Sequence, residues 1–358
     1  KHLLRKNDII FARTGGTVGK TYFYDGEIGP AVFAGYCIRF RFDENKVIPK
    51  FVYWYTKTDM YQKWVNGIQR PAGQPNINKE EYKSFEIVLP SIDIQQKLVD
   101  SMDDANLSRQ DKTDQSESLL SSMNEYIFDK LNLSHISFEE RLCCAIRLSH
   151  IVEDRTFSAE YYHPERMAAL HLLKSNTDIS AHKLSNVVTF HRDIVSSENN
   201  ASYLGLAGVE SQTGELSGVQ EEVAGQAFAY EKDDILYGRL RPYLNKVLLA
   251  ESDGICSTEF HVMKVIDTTT VLPEYVAAIL RSDLILLQTR HMMTGNTHPR
   301  ISNDDVQNLY IPVPDISVQM QIVVDLRKRR IEARKLKCEA EQEWQAAKEQ
   351  FERELLGE

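Results

Sequence analysis

Two long stretches of the chain carry apolar residues at steps of three, four and seven. In the first, roughly 93–131, these are Ile94, Leu98, Met102 and Ala105, then, after a polar middle, Leu119, Met123, Ile127 and Leu131. In the second, roughly 317–356, they are Ile322, Leu326, Ala333, Leu336, Ala340, Trp344, Ala347, Phe351 and Leu355. This spacing predicts two helices with coiled-coil seams. At 1.5 Å per residue, about 39 residues reach roughly 58 Å, far more than a helix inside one globular core needs. Asp93 is the expected N-cap of the first helix, and Asp315 or Ser317 that of the second. Within the first seam, 106–118 is polar enough to read as a break, a solvent bridge or a partner surface. Two similar helices in one chain favour pairing with each other over pairing between chains.

The segments around these helices repeat. Lys6-Asn7-Asp8-Ile9-Ile10-Phe11-Ala12-Arg13 matches Lys232-Asp233-Asp234-Ile235-Leu236-Tyr237-Gly238-Arg239: a charged turn, an apolar strand, then an arginine. Pro49-Lys50-Phe51-Val52 matches Pro273-Glu274-Tyr275-Val276, and Pro75-Asn76-Ile77-Asn78 matches Pro299-Arg300-Ile301-Ser302. Leu89-Pro90-Ser91-Ile92-Asp93-Ile94-Gln95 matches Val313-Pro314-Asp315-Ile316-Ser317-Val318-Gln319. The last three pairs share one offset, so the chain reads as two related halves. Each half is expected to close with an apolar strand (85–89 and 309–313), a proline and a long helix. The second half has about 73 further residues in front of Tyr230, with strand-like runs at 187–190 and 203–206. The first has no counterpart to them, so it is expected to be truncated at its front.

Composition fits an ordinary globular chain. Of 358 residues, 42% are hydrophobic and 26% charged, and Gly and Pro number 17 and 11; this excludes collagen-like, disordered and disulfide-stapled classes. No run of 18 apolar residues exists to cross a bilayer as a helix. The five cysteines, Cys37, Cys143, Cys144, Cys256 and Cys338, are odd in number and show no CxxC spacing. That argues against a disulfide framework or zinc knuckle and for a reducing cytoplasm. The net charge of −10 is unevenly spread: residues 1–90 carry 14 Lys/Arg against 9 Asp/Glu, and residues 132–314 carry 15 against 24. A polyanion would have to be met by local loops or by a basic partner.

Thr14-Gly15-Gly16-Thr17-Val18-Gly19-Lys20-Thr21 approaches a phosphate-binding P-loop but lacks its first glycine, and a strand-like run follows it instead of a helix. The matching loop, Arg239-Leu240-Arg241-Pro242-Tyr243-Leu244-Asn245-Lys246, keeps the Arg and Lys positions and has no glycine at all. No methyltransferase, nuclease or metalloprotease motif is present, and the ten histidines are scattered. His291 and His298 lie in a polar segment, where a solvated or DNA-facing role outweighs metal ligation.

Two sets of polar loops at matched positions remain. One pairs Arg13, Thr17 and Lys20 with Arg239, Arg241 and Lys246. The other pairs Asn66, Gln69, Arg70, Gln74 and Asn76 with Arg290, His291, Thr294, Asn296, His298 and Arg300. Arg, Asn and Gln can bond base edges in two-point fashion, and Lys and Thr suit phosphates. Any single one of these residues reads equally as a solvated loop tip. Unlike residues in a repeated frame, however, are what two different readouts require.

"KNDIIFARTGGTVGK", "KDDILYGRLRPYLNK", "CSTEF", "NINKEEYKSFEIVLPSIDIQQKLV", "RISNDDVQNLYIPVPDISVQMQIV" and the domain-opening "FSAEYYHPE" together resemble the specificity subunits of type I restriction-modification systems. The resemblance implies an α+β fold: two target-recognition domains of mixed structure separated by two long helices in an antiparallel coiled coil. Residues 1–92 would be the first, truncated recognition domain, 93–133 the first spacer helix and 134–156 a linker; 157–314 would be the second domain and 315–358 the second spacer helix. It further implies a non-catalytic, cytoplasmic subunit that binds a bipartite site on double-stranded DNA. Two methyltransferase subunits, and possibly motor-nuclease subunits, would be its partners. No cofactor is expected on the chain itself; S-adenosylmethionine would sit on the partner methyltransferase. A type IIB specificity subunit, the recognition part of a methyltransferase fusion, and a coiled-coil scaffold without a DNA role are the competing readings. An acidic second domain leads us to expect salt-sensitive DNA binding by the isolated chain.

Overall fold

The computed structural model describes residues 3–68, 75–134, 145–154, 156–177, 179–196, 203–221, 225–293 and 298–357. In chain order the elements are β1 (Asp8–Ala12), β2 (Thr21–Tyr24), β3 (Cys37–Phe40), α1 (Pro49–Tyr55), α2 (Asp59–Ile68), α3 (Lys79–Lys83), α4 (Ile92–Lys130), α5 (Leu148–Asp154) and α6 (Pro164–Ser175). Then come β4 (Ser180–Lys183), β5 (Val188–His191), β6 (Ile194–Ser196), β7 (Tyr203–Leu204), β8 (Gln226–Tyr230), β9 (Ile235–Gly238), β10 (Val247–Leu249), β11 (Gly254–Ser257) and β12 (Phe260–Val265). The chain ends with α7 (Pro273–Arg281), α8 (Asp283–Thr289), α9 (Asn303–Gln307), β13 (Tyr310–Val313) and α10 (Ile316–Leu356). They divide into two compact units, 1–117 with 333–358, and 118–332.

In the first unit β1 is the middle strand of an antiparallel sheet ordered β2-β1-β3. Its β-branched and aromatic residues suit a strand covered on both faces, and Asp8, Ile9, Ile10 and Phe11 are all buried. Helix α1 opens with a proline at its first turn, where no intrahelical amide bond is lost. It buries Phe51, Val52, Trp54 and Tyr55. Phe51 stacks on Phe351 of α10 at 5.6 Å between centroids, and Trp54 meets Trp344 edge-on at 5.7 Å. The start of α4 runs antiparallel to the end of α10. Lys97 pairs with Glu354, Ser108 with Glu343, Lys112 with Glu339, and the Ser116 hydroxyl donates to the Ala333 carbonyl. The polar middle of the first seam is therefore unbroken helix in which Ser108, Lys112 and Ser116 bond to α10.

Three expectations are corrected here. The segment 85–89 forms no strand, although its repeat partner does: β13 pairs with β4. A strand needs a neighbour for its backbone groups, and among the described residues 85–89 has none. Ile94 is 43% exposed, whereas Gln95 beside it is fully buried. The helix also starts at Ile92, so Asp93 sits in the first turn, where its charge favours the helix N-terminus, and does not cap it.

The second unit holds two four-stranded sheets, β10-β9-β12-β5 and β6-β8-β11-β7, and the pair β13-β4. All pairings are antiparallel except β7 with β11. Ile235, Met263, Tyr275, Ile279 and Ile311 are fully buried in its main core. Here too α4 and α10 run antiparallel: Arg329 donates to Ser122 and Tyr126 to Asp325. The strand-like run at 203–206 yields β7 followed by a short 3-10 turn. Among the described residues no helix is long and apolar enough to cross a membrane.

Candidate nucleic-acid interface

The repeat is exact at the backbone where the two loop sets meet. In the first unit the Ile77 amide donates to the Arg13 carbonyl at 2.9 Å, and the Gly15 amide to Pro75 at 3.0 Å. In the second the Ile301 amide donates to Arg239 at 3.1 Å, and Arg241 to Pro299 at 2.7 Å. Isolated bridges join Thr14 to Asn76 and Leu240 to Arg300 at the same places. Each strand end is thus tied to the loop that precedes a short capped helix, α3 or α9. In each, an Asn78 or Ser302 side chain accepts from the first-turn amides.

Within the first frame Arg13 is half-buried and its Nε is enclosed without a hydrogen-bond partner. Thr17 and Lys20 are exposed on the turn, and Asn76 is exposed beside them. Gln69, Arg70 and Gln74 lie outside the described residues. The glycines that suggest a phosphate cradle have other work. Gly15 gives its amide to Pro75. Gly19 has φ +83° and lies so close to α2 that a Cβ would stand 2.6 Å from Val65. Its amide donates to the Tyr82 hydroxyl, which donates in turn to the Ala12 carbonyl, and Tyr61 donates to the Gly19 carbonyl. The loop is locked onto the core by two tyrosines that sequence reasoning did not single out.

In the second frame Arg241 is exposed, sits in the left-handed region at φ 50°, and makes no side-chain hydrogen bond or ion pair among the described residues. Arg239 is half-buried like Arg13; one of its amino groups reaches the Thr258 carbonyl and its Nε is likewise enclosed without a partner. The Lys246 ammonium donates to the Leu206 carbonyl at 2.6 Å. Arg300 grips Glu259 through Nε and Nη2, at 3.0 and 2.7 Å. That hydrogen bond holds the Glu259 carboxyl below the usual carboxylate range, against the opposing effect of burial. Arg290 and His291 both engage Glu165. His298 is exposed, and Asn296 falls outside the described residues.

Beneath Arg239 the His261 side chain is buried in β12. Burial, then the nearby Arg239 charge, push its pKa down to about 4, so the ring is neutral at pH 7. The ring is enclosed against the Ile301 backbone and the Asn303 side chain. Glu259, His261 and Glu165 carried no sequence signal of their own; the acidic "CSTEF" run was the nearest hint. Among the described residues, His163, Glu165 and His291 form one group whose ligating atoms could hold a metal.

Residues 1–117 match the family model described as the type I restriction modification DNA specificity domain. Over 129 residues the chain is 27% identical to the EcoDI specificity subunit of a type I restriction enzyme from Escherichia coli. That stretch is 35% of this chain and 28% of that relative. Among solved structures, one from a study of complex assembly and conformational transition in a type I R-M system is similar at a TM-score of 0.52 and 12% identity, covering 98% of this chain and 82% of that one. The S subunit of the type I system of M. genitalium is similar at a TM-score of 0.49 and 15% identity, covering 99% and 84%. At the first of these values the likeness is one of fold.

Proposed function

We propose, from the match of residues 1–117 to the type I restriction modification DNA specificity domain, that the chain reads duplex DNA and brings partner subunits to the sequence it reads. The observation that carries this is the duplicated loop frame. Arg13 and Arg239 leave their strands at equivalent points, each strand end bonded by its backbone to a second polar loop. The frame is the same and the tips differ, Thr17 and Asn76 on one side, Arg241 and Arg300 on the other. A common scaffold fixes where a loop meets a groove, and different side chains there select different bases.

In this reading the chain supplies recognition and its partners supply chemistry. Methyltransferase subunits with bound S-adenosylmethionine transfer the methyl group, and motor-nuclease subunits join where the system cleaves. The long helices α4 and α10 offer the surfaces on which such partners dock. The test is DNA binding by the chain with its methyltransferase, followed by mapping of methylated sites in cells that carry both. Methylation at one two-part sequence, lost when either loop frame is replaced, supports the reading. Sequence-independent binding, or methyl transfer by the purified chain alone, overturns it.

A further inference from the structure

We propose that His163, Glu165 and His291 form a binding site for a single divalent transition-metal ion of the Zn²⁺ class, which joins the start of α6 to the segment that follows α8. One ligating atom from each of the three residues lies within 4.8 Å of the others. His163 caps α6, and Glu165 is in its first turn, so one helix end presents both. His291 arrives from 126 residues further along the chain.

The donor set selects the class of ion. Two imidazoles and one carboxylate suit Zn²⁺ and its neighbours; Ca²⁺ and Mg²⁺ prefer oxygen ligands throughout. Ligation also needs neutral imidazole. Glu165 is nearly buried, with its side chain 10% exposed. A carboxylate in that position requires compensating positive charge.

At present the compensating charge is that of Arg290, whose Nη1 stands 3.2 Å from both carboxylate oxygens, while His291 Nε2 lies at hydrogen-bond distance, 2.8 Å from Oε2. Arg290 is half-exposed and can turn outward without leaving a buried charge behind. The bond from the Glu165 amide to His163 Nδ1 is long, at 3.4 Å, and so is easily exchanged for a metal bond. The two rings stack at 3.4 Å between centroids, with 18° between their planes. Donors on one tetrahedral Zn²⁺ lie about 3.3–3.6 Å apart, from bond lengths of roughly 2.0–2.2 Å. Ligating atoms within 4.8 Å of one another can close to that separation by side-chain rotation, but the near-parallel planes must change as well, because a metal lies in the plane of each imidazole that binds it. One ring must tilt. His291, placed just beyond the end of α8, is the one with room to do so.

Such an ion would act on the segment carrying Arg290, His298 and Arg300, since it would pin that segment where it leaves α8. The binding claim stands independently of DNA recognition. The full chain is titrated with Zn²⁺ against a chromophoric chelator, and with Co²⁺ for its visible spectrum. One ion per chain is expected, with a tetrahedral nitrogen–oxygen spectrum. H163A, H291A and E165Q should each weaken binding at least tenfold, and H298A should not. R290A removes the competing cation and should tighten binding several-fold. That gain keeps the test decisive if a loss variant fails to fold. Absence of stoichiometric uptake at micromolar Zn²⁺ overturns the proposal. So does uptake indifferent to H163A and R290A, or a sulfur-to-cobalt band that assigns the ion to the cysteines.

Discussion

Gln319 accepts a hydrogen bond from the Leu272 amide through Oε1 at 3.0 Å, and its Nε2 donates to the Thr270 and Pro314 carbonyls at 3.0 and 2.8 Å. Gln95 makes the same three contacts in the first unit, with the Ile48 amide and with the Lys46 and Pro90 carbonyls. Both side chains are fully buried. Each ties the first turn of a long helix to the loop that opens α1 or α7. Replacing Gln319 by leucine keeps the volume and strands three backbone groups. Each unsatisfied buried group costs roughly 1–3 kcal/mol, so we expect Gln319→Leu to destabilise by at least about 3 kcal/mol, read as a shift in the denaturation midpoint. Gln95→Leu should cost a similar amount. A loss under about 1 kcal/mol would mean that the loops find other partners.

The contacts between α4 and α10 in the first unit differ in strength. Trp344 is buried, meets Trp54, and lies under the Arg109 guanidinium at 4.6 Å. Truncating a buried aromatic of this kind costs about 3–5 kcal/mol. Lys112 pairs with Glu339 and Glu343, which are more than one-third exposed, and solvent screening leaves such pairs little net effect on stability. Trp344→Ala should therefore unfold the first unit at markedly lower denaturant, while Lys112→Ala leaves the midpoint nearly unchanged. Calorimetry of the two variants distinguishes them, and equal effects would show that the ion pairs, not the aromatic packing, hold this stretch.

The long helices were legible because apolar spacing sustained over some forty residues leaves little choice. The loop frame was legible because the repeat marked Arg13 with Arg239 and Asn76 with Arg300. Other features depend on partners that periodicity cannot name. The run 85–89 has the composition of β13 and lacks its neighbour β4. Gln95 matches Gln319 in the repeat, but only the fold shows that it is buried, with its carboxamide bonded to backbone rather than water. Glu165 closes the FSAEYYHPE motif without a role of its own in the sequence, and only the fold brings His291 to it. The bond from the Lys246 ammonium to the Leu206 carbonyl, at 2.6 Å, likewise joins residues that no spacing connects.

Stability should depend on pH through His261. Its pKa in the folded chain is about 4, against 6.5 for the free side chain. Between those values the unfolded chain binds the proton and the folded chain does not, so stability rises with pH there. The contribution is complete above about 6.5 and is lost as pH falls toward 4, amounting to about 3 kcal/mol at 1.36 kcal/mol per unit. His261→Phe should flatten that part of the stability profile measured by urea denaturation. A profile as steep in the variant as in the parent would assign the acid sensitivity to another group.

Arg241 and Lys246 stand six positions or fewer apart in one loop, and the structure separates their roles. Arg241 is exposed and uncommitted among the described residues, with its backbone fixed by the bond to Pro299. Lys246 spends its charge on the Leu206 carbonyl. If Arg241 contacts a base, Arg241→Ala should weaken DNA binding by roughly 1–3 kcal/mol and relax the readout of one half-site only. Its melting temperature should stay that of the parent. Lys246→Ala should instead lower the melting temperature, and leave the salt dependence of DNA binding unchanged because no phosphate contact is removed. Anisotropy titrations across a salt series, with the methyltransferase present, measure both. A salt slope that falls by about one in Lys246→Ala would return that lysine to the phosphate backbone. Unchanged affinity and specificity in Arg241→Ala would remove the loop tip from the interface.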